Sequence, residues 1–357
     1  MEGSALDIGI IGAGSWGTAL STLLSYNGHK ITLWIYEKEL YENILTQRVN
    51  HIYLPGVSIP DSVIPTQSFS EASAGKDILV SAVPSHLVRE IISNCVPYLS
   101  NRTIIVSVSK GIENKTLKTM SDVFQDIFPK ALLNQTAYLS GPSFAKEVAQ
   151  RLPTAVVVAS ENQSIAEKVQ KAFATPFFRV YTSNDVKGVE LGGALKNVIA
   201  IAAGCSDGLG FGHNTRAALI TRGLAEIIRL GAGLGANPMT FSGLSGLGDL
   251  ILTCTGLLSR NRTVGIKLGK GMSLDEIIKS SKMVAEGIRT TQAAYQLAKQ
   301  HGIEMPIVEQ VYQILYQGKD PYEAVNDLMG RSLRYELDEI PVKKMGGADD
   351  YGSKRKR

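Results

Sequence analysis

The chain has 357 residues, 44% hydrophobic and 20% charged, the composition of a folded globular protein long enough for two domains. Its formal charge of +4 sits at one end: residues 342–357 carry six Lys/Arg and two Asp/Glu, and the remainder balances 31 against 31. A neutral body with no basic, aromatic-lined stripe speaks against a nucleic-acid partner, and the basic end reads as a solvated tail.

The apolar run at 8–11 ends at Gly12, the pattern of a buried parallel strand entering a tight turn. Trp16, Ala19, Leu20, Leu23 and Leu24 then share one helical face, and Asn27-Gly28 stops that helix. Ile31, Leu33 and Ile35 alternate with Thr32 and Trp34 as a second strand. Further strands are predicted at 78–83, 103–108, 138–140 and 155–159, with helical patterns between them. Such alternation implies an α/β fold with a mostly parallel, doubly wound sheet. From about Asp185 the strands stop. Helical runs are predicted at about 185–203, 214–230, 273–280, 290–301, 306–317 and 321–328, with 242–249 as a Gly-rich break. The expected organisation is a nucleotide-binding domain over 1–184, an all-helical domain over 185–340 and a basic tail over 341–357.

The turn after the first strand reads Gly12-Ala13-Gly14-Ser15-Trp16-Gly17, a GxGxxG sequence. In a dinucleotide fold the first glycine permits the turn, the second lets the backbone approach a pyrophosphate, and the third lets helix and strand pack closely. The helix start offers free N–H groups to the phosphates. The sequence alone is common; lying between an apolar strand and an amphipathic helix makes it a Rossmann signature for NAD or NADP. Glu37, twenty residues past Gly17, stands where an acid holds the ribose 2′-hydroxyl and so favours NAD. Tyr36 is placed to lie against the adenosine.

Residues 191–206 carry a single charge, Lys196, in an otherwise apolar helix. Lysine is seldom buried without a partner. A snorkelling lysine is the ordinary reading. Here the residue is mid-helix, and Gly192 and Gly193 are read as clearing space for it, which favours a functional amine whose pKa burial lowers toward neutrality. Asp249, closing the Gly-rich break, is a candidate partner for Lys196 or for a substrate. Ser259-Arg260-Asn261-Arg262 sets hydroxyl, guanidinium and amide donors at a helix start, a combination suited to phosphate, although a solvated turn has the same look.

Cys95, Cys205 and Cys254 are far apart and the five histidines are scattered, so neither a disulfide framework nor a metal site is expected. The longest wholly apolar run, 198–203, falls short of the ~20 residues of a membrane helix. A first strand near residue 8 leaves no room for a signal peptide. A cytoplasmic protein without integral membrane association is the expectation.

In order along the chain, GAGSWGTAL at 12–20, Ser109-Lys110-Gly111, SGPSFAKE at 140–147, Leu195-Lys196-Asn197, GLGD at 246–249, Ser259-Arg260-Asn261-Arg262 and VAEG at 284–287 resemble the NAD(P)-dependent glycerol-3-phosphate dehydrogenases, the bacterial type in particular. The likeness spans about residues 7–330. It implies a Rossmann domain, an all-helical domain and a homodimer. By that resemblance Lys196 is the proton acceptor, with Lys110 and Asp249 beside it. Lys110, Gly141, Ser143, Lys196, Asp249, Ser259, Arg260 and Asn261 would line the substrate. Ser15, Trp16, Tyr36, Lys110, Ala145, Arg260, Val284 and Glu286 would contact the cofactor along with the glycine turn. The substrate implied is a small phosphorylated one, dihydroxyacetone phosphate or glycerol 3-phosphate. Bacterial relatives often carry Arg or His at the Tyr36 position, and the basic tail has no counterpart in the family. A hydroxy-acid dehydrogenase, with Arg260 on a carboxylate, is the alternative enzyme; a non-catalytic dinucleotide-binding redox sensor needs neither Lys196 nor the 259–262 cluster.

Overall fold

The computed structural model describes residues 5–280, 285–333 and 335–336. Its first part is an eight-stranded sheet in the order β10-β9-β8-β7-β6-β1-β2-β5. The strands are β1 (Asp7–Ile11), β2 (Lys30–Trp34), β5 (Val63–Thr66), β6 (Ile78–Ser81), β7 (Ile104–Ser107), β8 (Thr136–Ser140), β9 (Thr154–Ala159) and β10 (Phe178–Ser183). A separate two-stranded hairpin pairs β3 (Val49–Asn50) with β4 (Leu54–Ser58). Six neighbouring strands, from β5 to β8, run parallel; β9 pairs antiparallel with β8, and β10 follows β9. The central strands bury every residue on both faces, as their unbroken Val/Ile/Leu runs require.

The doubly wound sheet is therefore as expected, with a mixed edge in addition. Three strand elements escaped the sequence reading. β5 is four residues with Pro65 inside it, tolerable because the strand lies at the sheet edge. β10, at the other edge, buries Phe178 and Val180 and exposes Arg179 and Tyr181, an alternation the sequence does carry. The hairpin is too short and bulged to leave a period.

Chain order reverses at β1, which lies between β6 and β2. In open α/β sheets the crevice at such a switch point receives the ligand. The loops that leave β1 and β6 there are the glycine turn and the segment Val83-Pro84-Ser85.

After Ser183, among the described residues, all regular structure is helical. The organising element is Val186–Gly208, of whose 23 residues most are buried. By length and composition it could cross a membrane, but 89% of its apolar window is buried inside the protein; it is a core helix. The six-residue apolar run understates it because Lys196, Asn197 and the glycines interrupt the sequence. It continues to Gly208, beyond the expected end at 203, because its glycines are packing residues. A Cβ on Gly204 or Gly208 would overlap the backbone of the Arg260–Gly269 helix near Arg262 and Ile266, and Gly265 and Gly269 answer from that helix. The two backbones approach closely, and this contact carries Asn261 to Asn197.

The expected Gly-rich break at 242–249 is helical instead. A 3₁₀ turn at Pro238–Ser242 leads into a π-helical turn, Leu244–Gly248, which runs directly into the Asp249–Thr255 helix. Gly246 makes this possible: any side chain there would strike the Phe241 backbone. Single π turns inside helices are frequent at functional sites.

Candidate active site

The glycine turn has the shape its sequence demands. Gly12 has φ +112°, closed to ordinary side chains. A Cβ on Gly17 would overlap Gly12 O, so helix Ser15–Tyr26 can pack against the turn only with glycine there. Gly14, in contrast, has nothing within 4 Å of where a Cβ would stand. The turn thus leaves an open approach over the helix start, where Ser15 and Trp16 form the first turn without an acidic residue. The Trp16 indole N–H is buried and unpaired. An open cradle with free amides fits a dinucleotide pyrophosphate. Tyr36, just past β2, is 73% exposed. Glu37 is half-buried and accepts a bond of 2.7 Å from the Tyr53 hydroxyl.

Deeper in the crevice three charged groups from distant parts of the chain converge. Lys196 is 6% exposed and Asp249 1%. The Lys196 ammonium donates to Asp249 Oδ1 and, at 2.8 Å, to Thr253 Oγ1. Lys110, in the loop after β7, donates to Asp249 Oδ2 at 2.8 Å and to the Gly141 carbonyl at 2.8 Å. One carboxylate therefore bridges two lysines. Burial pulls the Lys196 amine down to about 8, with the nearby Lys110 cation acting in the same direction and the Asp249 carboxylate opposing. A lysine in that range exchanges protons near neutrality.

Gly192 and Gly193 serve another purpose than the one expected. A Cβ on Gly192 would press on the Ser245 carbonyl at 2.7 Å, and one on Gly193 would crowd the Ser140 hydroxyl. They admit the π turn and the end of β8, which bring Asp249 and Gly141 to the lysines.

Around this cluster stand the remaining candidates. Gly141, with φ +129°, turns the chain after β8, and Ser143 donates back to its carbonyl at 2.9 Å. Ala145 opens a short helix that packs against the Ser15–Tyr26 helix. Ser259 caps the Arg260–Gly269 helix, accepting from Arg262 N at 3.2 Å. Asn261 donates to Asn197 Oδ1 at 2.8 Å and accepts from Gly287 N at 2.9 Å. Arg262 is committed elsewhere: it pairs with Asp207, which also holds Arg216. Arg260 is exposed, in the electrostatic range of Glu286. Glu286, in the first turn of the Glu286–Gln300 helix, accepts from the Ser85 amide (3.0 Å) and hydroxyl (2.7 Å) in the loop after β6. Burial raises its carboxyl. It thereby ties the helical part to the sheet across the crevice. Val284 lies outside the described residues.

Three participants were missed. Thr253 lies one turn after Asp249, a spacing that places both on one helix face. Asn197 follows Lys196 but carries no signal of its own. Ser85 is identifiable only once Glu286 is seen beside it.

A doubly wound sheet with an open glycine cradle at its switch point, facing a buried lysine–aspartate–lysine cluster, is the arrangement of a dinucleotide-dependent dehydrogenase. Residues 7–166 match the family model for the NAD-dependent glycerol-3-phosphate dehydrogenase N-terminus, and 185–326 that for its C-terminus. A glycerol-3-phosphate dehydrogenase [NAD(P)+] of Syntrophotalea carbinolica is 55% identical over 333 residues, 93% of this chain and 100% of the relative. One from Citrifermentans bemidjiense is 56% identical over 329 residues, 92% of this chain and 98% of the relative. The crystal structure of the Coxiella burnetii glycerol-3-phosphate dehydrogenase superimposes with a TM-score of 0.87 at 40% identity, covering 92% of this chain and 99% of that one. The chain belongs to the NAD(P)-dependent glycerol-3-phosphate dehydrogenase family.

Proposed function

We propose that this chain interconverts dihydroxyacetone phosphate and sn-glycerol 3-phosphate with NAD(H) or NADP(H), and that Lys196 is the group that moves the proton. The observation that carries the reading is the bridge from Lys196 through Asp249 to Lys110, deep in the crevice that the glycine turn opens.

The cofactor is held by Gly12, Gly14, Ser15, Trp16 and Gly17 at the pyrophosphate and by Tyr36 at the adenosine. By family resemblance Lys110, Ala145, Arg260, Val284 and Glu286 would contact it as well. When bound, the nicotinamide exchanges a hydride with the secondary carbon of the substrate. In oxidation, neutral Lys196 accepts the proton of the carbinol hydroxyl; in reduction, protonated Lys196 returns it. Asp249 and Thr253 fix the direction of Nζ. In reduction, with Lys196 protonated, two cations share one carboxylate, and the net positive charge stabilises the carbonyl oxygen as negative charge builds on it. Arg260, Asn261 and the Ser259 hydroxyl bind the phosphate, while Gly141 and Ser143 line the opposite wall. Arg262, held by Asp207, stays out of the site.

Glu37 makes NAD the favoured cofactor, since a carboxylate accepts from a ribose 2′-hydroxyl and repels a 2′-phosphate. Family resemblance supports a homodimer in the cytoplasm, with domains over 1–184 and 185–340 and glycerol 3-phosphate passing to phospholipid synthesis. Steady-state rates with dihydroxyacetone phosphate and with a carboxylated ketone, NADH and NADPH run in parallel, test the proposal. Turnover confined to the phosphorylated ketone is expected. Preference for the carboxylated one would transfer Arg260 to a hydroxy-acid dehydrogenase, and no turnover at all would leave a dinucleotide sensor.

A further inference from the structure

The hairpin between the Lys38–Gln47 helix and β5 takes no part in the chemistry, yet it grips the dinucleotide cradle at two points. Asn50 is fully buried. Its amide donates to Ala13 O, inside the glycine turn, and to Thr18 Oγ1 in the helix behind it, both at 2.8 Å. Its oxygen accepts from Tyr53 N at 2.9 Å. Both amide protons are thus used, and Tyr53 is anchored to the turn that meets the pyrophosphate.

Tyr53 in turn holds Glu37. The phenol donates to Glu37 Oε1 at 2.7 Å. Glu37 occupies the N-cap position of the Lys38–Gln47 helix, where a side chain ordinarily turns back to the free amides. It does not do so here; its carboxylate is drawn away to Tyr53. Burial, reinforced by Glu37, pushes the phenol up to about 12, so it remains a donor across the working pH range. Among the described residues no donor reaches the second carboxylate oxygen.

We propose that Tyr53 is the residue that sets the choice between NAD and NADP, by holding Glu37 through one oxygen so that the other is left to accept a ribose 2′-hydroxyl. The inference rests on the reading of Glu37 as the acid that favours NAD. Charge at position 37 is not sufficient; the carboxylate has to be held in place. An untethered glutamate swings to solvent or to the helix amides, loses its bond to the hydroxyl and repels a 2′-phosphate less.

Calorimetric titration of NADH and of NADPH into the intact protein, without substrate, tests this apart from turnover. Wild type is expected to bind NADH more tightly. In Tyr53→Phe the NADH Kd should rise about five- to tenfold, the loss of one hydrogen bond's support to a charged group, while the NADPH Kd changes less, so the ratio narrows. Glu37→Gln should narrow it as well, and the double variant no further than Glu37→Gln, because both act through one contact. Glu37→Asp, which keeps the charge but withdraws it from Tyr53 by one methylene, should behave as Tyr53→Phe does and serves if that variant is unstable. A wild type with no NADH preference overturns the reading of Glu37 itself. A wild type that prefers NADH, with Glu37→Gln narrowing the ratio while Tyr53→Phe or Glu37→Asp leaves it intact, overturns the role of Tyr53 alone.

Discussion

Lys196 and Asp249 are 53 residues apart in the chain and form an ion pair almost sealed from solvent. A buried pair of this kind contributes little to stability, because desolvation offsets the attraction. Its presence in the crevice is better explained by chemistry. Asp249 is shared with Lys110, whose nearby cation adds to burial in lowering the affinity of Lys196 for a proton.

That arrangement fixes a pH dependence. The Lys196 amine, drawn down to about 8, must be neutral to accept a proton. The rate of glycerol 3-phosphate oxidation should therefore rise as pH increases through that value, and the rate of reduction should fall. Lys110→Met removes a cation that lowers the Lys196 value, so the surviving oxidation activity should titrate at higher pH. Stopped-flow rates across the range check this; an oxidation rate independent of pH would remove Lys196 as the base.

Arg260 gives a prediction about selectivity. Hydrogen bonds to charged groups contribute about 1.5–3 kcal/mol each. Arg260→Ala should lower kcat/KM for dihydroxyacetone phosphate by roughly ten- to a hundredfold. Unphosphorylated dihydroxyacetone, measured at saturating cofactor, should lose much less. Equal losses with both substrates would show that Arg260 does not bind the phosphate.

The glycine turn separates binding from folding. Gly14→Ala meets no protein atom, so its melting temperature without cofactor should match that of wild type while NADH affinity drops. Gly17→Ala forces a Cβ into Gly12 O and should lower the melting temperature itself. Wild-type NADH affinity in Gly14→Ala would mean that the pyrophosphate does not pass over this backbone.

Glu226 gives a stability prediction remote from the site. It is 2% exposed and accepts from the Ile307 and Val308 amides at the start of the Pro306–Gln317 helix. Burial raises its carboxyl from 4.5 to about 8. A folded value above the unfolded one means stability that is full below pH ~4.5 and lost as pH rises through about 8. Glu226→Gln, which cannot ionise, should show a flatter decline in melting temperature over that window. Parallel declines in the two proteins would mean that Glu226 is ionised throughout.

Much of this was legible in the sequence. The glycine turn announces itself because three backbone requirements fall at fixed spacing next to an apolar strand. Lys196 stands out because a lone charge in a buried helix needs a reason, and Asp249 because it is the nearest acid after a Gly-rich stretch. What the sequence withheld are contacts between distant segments. Gly192 and Gly193 read as room for Lys196, when the space belongs to Ser245 and Ser140. Arg262 looked equivalent to Arg260 until Asp207 was found opposite it. The π turn at 244–248 was hidden because glycine argues against helix unless a close neighbour requires it. Tyr53 has no local pattern; only folding brings it to Glu37.

The most direct test of the proposed chemistry is the turnover of Lys196→Ala with dihydroxyacetone phosphate and saturating NADH, alongside its NADH Kd and melting temperature. A folded variant that binds NADH nearly as wild type does, with kcat reduced by roughly 10²–10⁴, is the expected result. A folded variant that keeps most of its kcat would contradict the assignment of Lys196 as the proton-transfer group.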